Sequence, residues 1–418
     1  MELSVVLLCL SEKDNLERLL PQVQGLLSSR SISYEILVVD GGSQDGTREL
    51  CQRLGVSFFV QKDPGYGGAL REGFARAAGD HVVTMDADLS HPPHVVLDLF
   101  RHREEADILV ASRYVWGGWA EMSRFRIALS RVLNRVCHSV LLMPLHDFSS
   151  GFRLYRKEIL PKLSWQNKDF SSLIEIVAHA YAQGYSVKEI PFHYRPRGAG
   201  KSHARLLKFF PSYLKMMFRL WRLRNSLESS DYDEHAFYSR IPLQRYWQRK
   251  RYRIVLGLLG GYQNVLDVGC GSSVILSGLS QSVGMDIALP KLRSQKRRDR
   301  MVVCGSIFEL PFRTESFDSV LCSEVIEHVP KKDRIFEEFR RVLKPGGTLV
   351  VGTPDHKNWL WLVLERIYLW VCPKGHVADH ISRYTRKEVG EVLKRFGFKT
   401  VEVKSILGCE VIFKALKE

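Results

Sequence analysis

Two aspartates, Asp86 and Asp88, stand one position apart in the stretch TMDADLSHPP, directly behind the apolar run AAGDHVVTM. Carboxylates at this spacing can close a turn, grip a divalent cation, or act as an acid/base pair. A second constellation lies far along the chain. VLDVGCGSS (265–273) sets Asp267, Gly269 and Gly271 around a turn, and Asp286 follows 19 residues after Asp267. A glycine turn lets a ligand approach the backbone closely, and an acid ending the next strand reaches ribose hydroxyls. On these residues alone a nicotinamide dinucleotide is one candidate.

Strands must present both constellations. The runs LSVVLLCL (3–10), YEILVVD (34–40), DHVVTMD (80–86) and ADILVAS (106–112) read as buried strands, with helical patterns such as NLERLLPQVQGLL and GALREGFARAA between them. The same alternation restarts with NVLDVGC (264–270), SVGMDIA (282–288), FDSVLCS (317–323) and GTLVVGT (347–353). This pattern predicts an α/β protein of two doubly wound domains, each with a mostly parallel sheet. Residues 1–225 form the first, 226–235 within RNSLESSDYDEH form a linker, and 236–418 form the second. In such sheets ligands bind outside the carboxyl ends of the strands, where Asp40, Asp86 and Asp88 fall.

At 418 residues the chain is too long for one core. Its 45% hydrophobic and 26% charged residues are ordinary for a globular protein, whereas its net charge of +15 points to an anionic partner. The eight cysteines form no CxxC pair, so neither a zinc site nor a disulfide framework is indicated, and a reducing cytosol is expected. The first apolar run is cut by Ser11, Glu12, Lys13 and Asp14, too early for a signal peptide. WLWLVLERIYLWVC (359–372) carries Glu365 and Arg366, which predicts a buried or interfacial helix and not a membrane span.

YEILVVDGGSQDGT, then DPGYGGALREGFARAAGDHVVTMDADLS, ASRYVWGGWAEMSRFRIALSRVLNR, DFSSGFRLYRKEIL and EIPFHYRPRGAGKSH follow one another in order. This series resembles the family-2 glycosyltransferases of the GT-A (Rossmann-like) fold, and among them the dolichyl-phosphate mannose synthases and other polyprenyl-phosphate glycosyltransferases, over roughly residues 3–203. The resemblance implies that Glu12 and Asp40 meet the nucleotide of a sugar donor, GDP-mannose or a UDP-hexose. It places Asp86 and Asp88 on the Mg²⁺ or Mn²⁺ that bridges the donor diphosphate. Such an ion prefers oxygen ligands and neutralises a departing diphosphate. The likeness also implies that Arg113, Arg126 and Ser130 hold the acceptor phosphate, with Arg153, Arg197 and Lys201 closing over phosphates. A lipid phosphate is already nucleophilic at neutral pH, so no general base is required. The chain departs from the family pattern at Leu8, Leu10, Ser11, Gly41 and His203.

VVCGSIFELPFRTESFDSVLCSEVIEHV and FEEFRRVLKPGGTLVVGTPD resemble the class I S-adenosylmethionine-dependent methyltransferases over about residues 245–400. The resemblance implies that Asp267, Gly269 and Gly271 line the methionine portion of that cofactor, Asp286 its ribose, and Ser306 and Ile307 its adenine. Ser323 and Glu324 stand nearby. It favours a methyl donor over a nicotinamide, with His376 or His380 as the candidate base and His328 as a structural residue. The substrate implied is a glycan or lipid intermediate.

No acidic residue occurs between Glu189 and Glu228, while ARLLKFFPSYLKMMFRLWRLRN (204–225) mixes apolar and basic groups. On a helix Lys208, Lys215, Arg219 and Arg222 fall opposite Leu206, Phe210, Tyr213, Met217 and Trp221. Peripheral membrane contact through this basic amphipathic segment is expected, in a cytoplasmic protein. Nucleic acid is not, because no recognition motif accompanies the charge.

Overall fold

The structure, a computed structural model, describes residues 1–196, 210–261, 263–371 and 380–418. It divides into two compact units, one of residues 1–181 and 185–222 and the other of 182–184 and 223–418.

The first unit runs β1 (Leu3–Cys9), α1 (Lys13–Ser28), β2 (Tyr34–Asp40), α2 (Thr47–Arg53), β3 (Ser57–Val60), α3 (Tyr66–Arg76), β4 (His81–Asp86) and α4 (His94–Arg101). It continues with β5 (Ile108–Ser112), β6 (Trp119–Ala120), α5 (Arg124–Leu141), β7 (Arg153–Arg156), α6 (Ser172–Ala182), β8 (Val187–Pro191), β9 (His193–Tyr194) and α7 (Phe210–Arg224). The sheet order is β3-β2-β1-β4-β7-β5-β8, parallel except at β7, and β6 pairs separately with β9. All seven residues of β1 are buried. Helices cover both faces of such a strand, which explains a continuous apolar run in place of alternation. On α1, Leu16, Leu19, Leu20, Val23 and Leu27 are buried at helical spacing against this sheet.

Chain order reverses at β1, which lies between β2 and β4. The register sets Cys9 beside Asp40 and Leu8 beside Asp86. Both acids therefore flank the carboxyl end of the strand at the switch point, the place where an open α/β sheet leaves a crevice.

The second unit runs α8 (Tyr232–Phe237), α9 (Pro242–Leu259), β10 (Val265–Val268), β11 (Ser282–Asp286), α10 (Leu289–Lys296), β12 (Val302–Cys304), β13 (Phe317–Ser323) and α11 (Arg334–Val342). It closes with β14 (Leu343–Pro354), α12 (Trp359–Val371), α13 (Arg386–Arg395), β15 (Phe398–Ile406) and β16 (Glu410–Lys417). Its order, β12-β11-β10-β13-β14-β16-β15, is parallel apart from β16, which is antiparallel to both neighbours. Here β10 marks the switch point, so the glycine turn after Val268 opens on the crevice. A capping box between Thr385 and Glu388 starts α13.

The segment 226–235, expected as a linker, is packed and not extended. Ser229 and Ser230 are fully buried, and Arg224 donates to Asp231 at 2.5 and 2.7 Å in a fully buried pair. Its polar residues serve the buried arginine, which needs oxygen acceptors such as Ser229 and Asp231.

Candidate active sites

In the first unit Asp86 ends β4 with its side chain 26% exposed, and Asp88, two positions on, is buried at 2%. Asp88 Oδ1 accepts from the Ser90 backbone N–H at 3.0 Å and from its hydroxyl at 2.5 Å. Tyr66 donates its hydroxyl to Asp86 Oδ1 at 3.3 Å. His91 Nδ1 accepts the backbone N–H of Asp86 at 3.0 Å, which leaves the proton on Nε2, 3.9 Å from Asp86 Oδ2. Burial holds this imidazole below its usual pKa and therefore neutral at pH 7, despite the nearby carboxylates of Asp86 and Asp88. Gly151 presses on the same point. A Cβ there would lie 2.2 Å from the Tyr66 hydroxyl. Two carboxylates on a strand end, one of them open to solvent, form an oxygen donor set that fits Mg²⁺ or Mn²⁺.

Asp40 is fully buried, and its Oδ2 accepts from the N–H groups of Gly42 and Ser43 at 2.8 and 2.6 Å, while Oδ1 takes the Ser43 hydroxyl. It shapes the turn after β2. Glu12 accepts from Asn15 at 2.5 Å at the start of α1.

Arg113 and Ser130 are brought together. Arg113 grips Asp147 through Nε at 2.7 Å and Nη2 at 2.8 Å, and Nη2 also reaches the Ser149 hydroxyl at 2.7 Å. Asn134 Nδ2 lies 3.4 Å from the hydroxyls of both Ser149 and Ser130. Burial opposes charge on Arg113, but Asp147 outweighs it and raises the guanidinium pKa. Arg126 is exposed one turn before Ser130 on α5, beyond the Ser123 cap.

Arg153 requires a correction. It is fully buried, and its three nitrogens donate to the backbone carbonyls of Ser150, Leu173 and Phe148 at 2.7, 2.8 and 2.7 Å. A guanidinium so committed braces the loop before β7 and does not close over a phosphate. Arg197, Lys201, His203 and His376 lie outside the described residues.

In the second unit a cavity of about 730 Å³ opens at the end of β10. That size suits a nucleoside-bearing cofactor. Asp267, Gly269, Gly271, Asp286, Ser306, Ile307 and Ser323 all line it. Gly269 has φ +71°, and a Cβ there would strike Val325 at 2.3 Å, so only glycine fits the turn. Gly271 donates its N–H to Asp286 at 2.8 Å. Asp267 is buried, and its Oδ2 has no hydrogen-bond partner among the described residues. Burial, with the carboxylates of Asp286 and Asp233, pushes its pKa up to about 7. An unsatisfied carboxylate facing a cavity fits a ligand that carries positive charge, as a sulfonium amino acid does.

Residues without a sequence signal complete this site. Asp233, on α8, accepts from Ser272 N and Oγ at 2.9 Å each and from Lys291 at 3.3 Å. Gln248, Arg251 and Tyr252 enter from α9. Arg251 pairs with Glu324 at 3.0 Å and Glu410 at 2.7 Å. Burial raises the Glu324 pKa, opposed by Arg251 and reinforced by Glu410 and Glu327. His328 and His380 also line the cavity, with ring centroids 5.0 Å apart.

Fold and sites together describe a sugar transferase joined to a methyltransferase. Residues 4–164 match the model for glycosyl transferase family 2, and residues 266–351 match a methyltransferase domain model. A dolichol-phosphate mannosyltransferase of Pyrococcus furiosus is 33% identical over 238 residues, 54% of this chain and 66% of that protein. A polyprenol monophosphomannose synthase of Mycolicibacterium smegmatis is 31% identical over 213 residues, 47% of this chain and 79% of that protein. Among solved structures, a glucosyl-3-phosphoglycerate synthase from Mycobacterium tuberculosis is 20% identical over 54% of this chain and 78% of its own, with a TM-score of 0.41. A SAM-dependent methyltransferase from Thermotoga maritima is 20% identical over 44% of this chain and 100% of its own, with a TM-score of 0.34. The chain belongs to glycosyl transferase family 2, and a methyltransferase domain follows on the same polypeptide.

Proposed function

We propose that the first unit transfers a hexose, mannose foremost, from a nucleotide sugar to a polyprenyl phosphate, and that the second methylates a glycan or lipid intermediate. The observation that carries the first half is the placing of Asp86 and Asp88 at the switch-point crevice. Asp86 and Asp88 would hold Mg²⁺ or Mn²⁺, which neutralises charge on the donor diphosphate. Asp40 fixes the turn facing the nucleotide, with Glu12 beside it. Neutral His91 and Tyr66 orient the Asp86 carboxylate. Arg113, whose Nε and Nη2 are held by Asp147, would turn its Nη1 to the acceptor phosphate, with Ser130 and Arg126 alongside, since hydrogen bonds between ionised groups are the strong ones. Asp147 and Asn134 position that group.

A polyprenyl acceptor is met at a membrane, and two helices of the first unit support peripheral contact there. On α5, Phe125, Leu129, Val132 and Val136 recur at helical spacing with exposures of 76, 40, 61 and 46%. On α7, Leu214, Phe218 and Trp221 are 56, 60 and 40% exposed. Arg124, Arg131, Arg135, Lys215 and Arg222 are exposed on the same two helices, neither of which carries an acid. The expected face of α7 shifts: Arg219 turns inward to Glu175 and Gln166, Met216 is buried and Met217 half-buried, while Phe218 points out. Lys208 and Leu206 lie outside the described residues. No helix among the described residues is long and apolar enough to cross a membrane.

In the second unit Asp267, Asp233 and Asp286 would face the charged and ribose ends of S-adenosylmethionine, which supplies an electrophilic methyl group when bound. Ser306 and Ile307 flank its base.

The test is incubation of purified protein with GDP-mannose or UDP-glucose, polyprenyl phosphate and divalent metal, with and without methyl donor, followed by mass spectrometry of the lipid. One hexose gained per lipid phosphate is expected. An unmodified lipid under both donors would overturn the first half.

A further inference from the structure

We propose that Glu327, His328 and His380 form a divalent-metal site in the wall of the methyl-donor cavity, and that its metal binds a hydroxyl of the methyl acceptor. The inference rests on the reading of that cavity as a methyltransferase site. One ligand atom from each of the three residues lies within 4.8 Å of the others. Ligands at about 2.0–2.2 Å from one ion stand roughly 3.3–4.4 Å apart, so small rotamer changes close the set.

The surroundings hold this geometry. Glu327 is fully buried, and its Oε2 accepts from Thr353 Oγ1 at 3.2 Å, whereas Oε1 has no hydrogen-bond partner among the described residues. A carboxylate oxygen left so in a buried place calls for a cation or a proton. Ser382 ties the irregular segment carrying His380 to the turn carrying Glu327 and His328. Its N–H donates to Glu327 O at 2.9 Å, and its hydroxyl donates to Val329 O at 2.6 Å. Both imidazoles line the cavity that Asp267 and Asp286 also line, so a ligand on the metal shares that cavity with the cofactor.

Two imidazoles and one carboxylate suit Zn²⁺, Mn²⁺ or Fe²⁺ and leave coordination positions open. An acceptor with two neighbouring oxygens, such as the vicinal diol of a sugar, fills those positions by chelation. Metal binding lowers the pKa of the hydroxyl, whose proton passes to water. The oxygen lone pair then forms the O–CH₃ bond as the S–CH₃ bond breaks. That bond's electron pair stays on sulfur, and the sulfonium becomes a neutral thioether. This assigns His380 to the metal and removes the need for a separate histidine base.

Co²⁺ is the probe. The full chain is titrated with Co²⁺, following the absorption bands of nitrogen-ligated cobalt, in wild type and in Glu327→Gln, His328→Gln and His380→Gln. Calorimetry with S-adenosylmethionine on the same samples reports whether each variant is folded around its cofactor. The wild type is expected to show a nitrogen-ligated Co²⁺ equivalent that every variant loses, with cofactor affinity unchanged. Absence of those bands in the wild type, or their persistence in both histidine variants, overturns the proposal. If the bands behave as expected while S-adenosylmethionine fails to bind any sample, the metal site stands and the methyltransferase reading fails.

Discussion

Asp267 gives the sharpest handle on the methyl-donor site, because its carboxyl titrates near neutral pH only while no cationic ligand occupies the cavity. Burial and two neighbouring carboxylates place its pKa at about 7. A cationic ligand that requires the ionised form must first drive off the proton held below that pH. The apparent affinity for S-adenosylmethionine then falls about tenfold from pH 8 to pH 6. The opposite sign applies to the ligand-free fold. The folded carboxyl holds its proton more tightly than the unfolded one, so stability decreases as pH rises from about 4 through 7. Calorimetry at several pH values, in buffers of different protonation heat, measures both affinity and the proton released on binding. Asp267→Asn should abolish the pH dependence and the proton release together. A wild-type affinity that is flat between pH 6 and 8, or an equal slope in Asp267→Asn, would refute the reasoning.

Three further outcomes follow from geometry. Arg224→Met leaves Asp231 buried without its main countercharge and should cost about 3–5 kcal/mol in a denaturant melt. Arg224 also holds the Asp231 carboxyl well below its ordinary range despite burial, so the wild-type stabilisation is present above about pH 4 and is lost as pH falls further. Arg153→Met strips three backbone carbonyls of their donor and should lower Tm, while nucleotide-sugar affinity of the folded protein, read by calorimetry, is unchanged. An affinity collapse at constant Tm would return Arg153 to a ligand-facing role. Gly151→Ala pushes the Tyr66 hydroxyl off Asp86 and should reduce sugar transfer at least about tenfold in a radiolabelled-lipid assay, with a stability cost of about 1–3 kcal/mol.

The central strands were legible because they are buried on both faces, which writes unbroken apolar runs such as LSVVLLC into the sequence. Asp86 and Asp267 were legible as positions because each ends or nearly ends such a run beside the switch-point strand or on it. Partners were not. The acceptors around Arg153 come from 148, 150 and 173, and no local spacing marks a charged residue that folding will bury. Asp233 reaches Ser272 from 39 positions earlier, out of a serine- and acid-rich stretch that reads as loop. His91 follows Asp86 by five positions, and the one signal it offered was a histidine directly behind the acidic turn. The orientation of α7 depends on Glu175, in a different helix, drawing Arg219 inward, which a periodicity argument cannot contain.

Nucleotide-sugar binding tests the central claim most directly. GDP-mannose and UDP-glucose should each be titrated into the full chain in Mn²⁺, in Mg²⁺ and in chelator, with Asp88→Asn alongside. One of the two donors should bind the wild type with metal and lose most of its affinity in chelator or in Asp88→Asn. Binding of equal strength in all of these conditions, or binding of neither donor in any, would contradict the account.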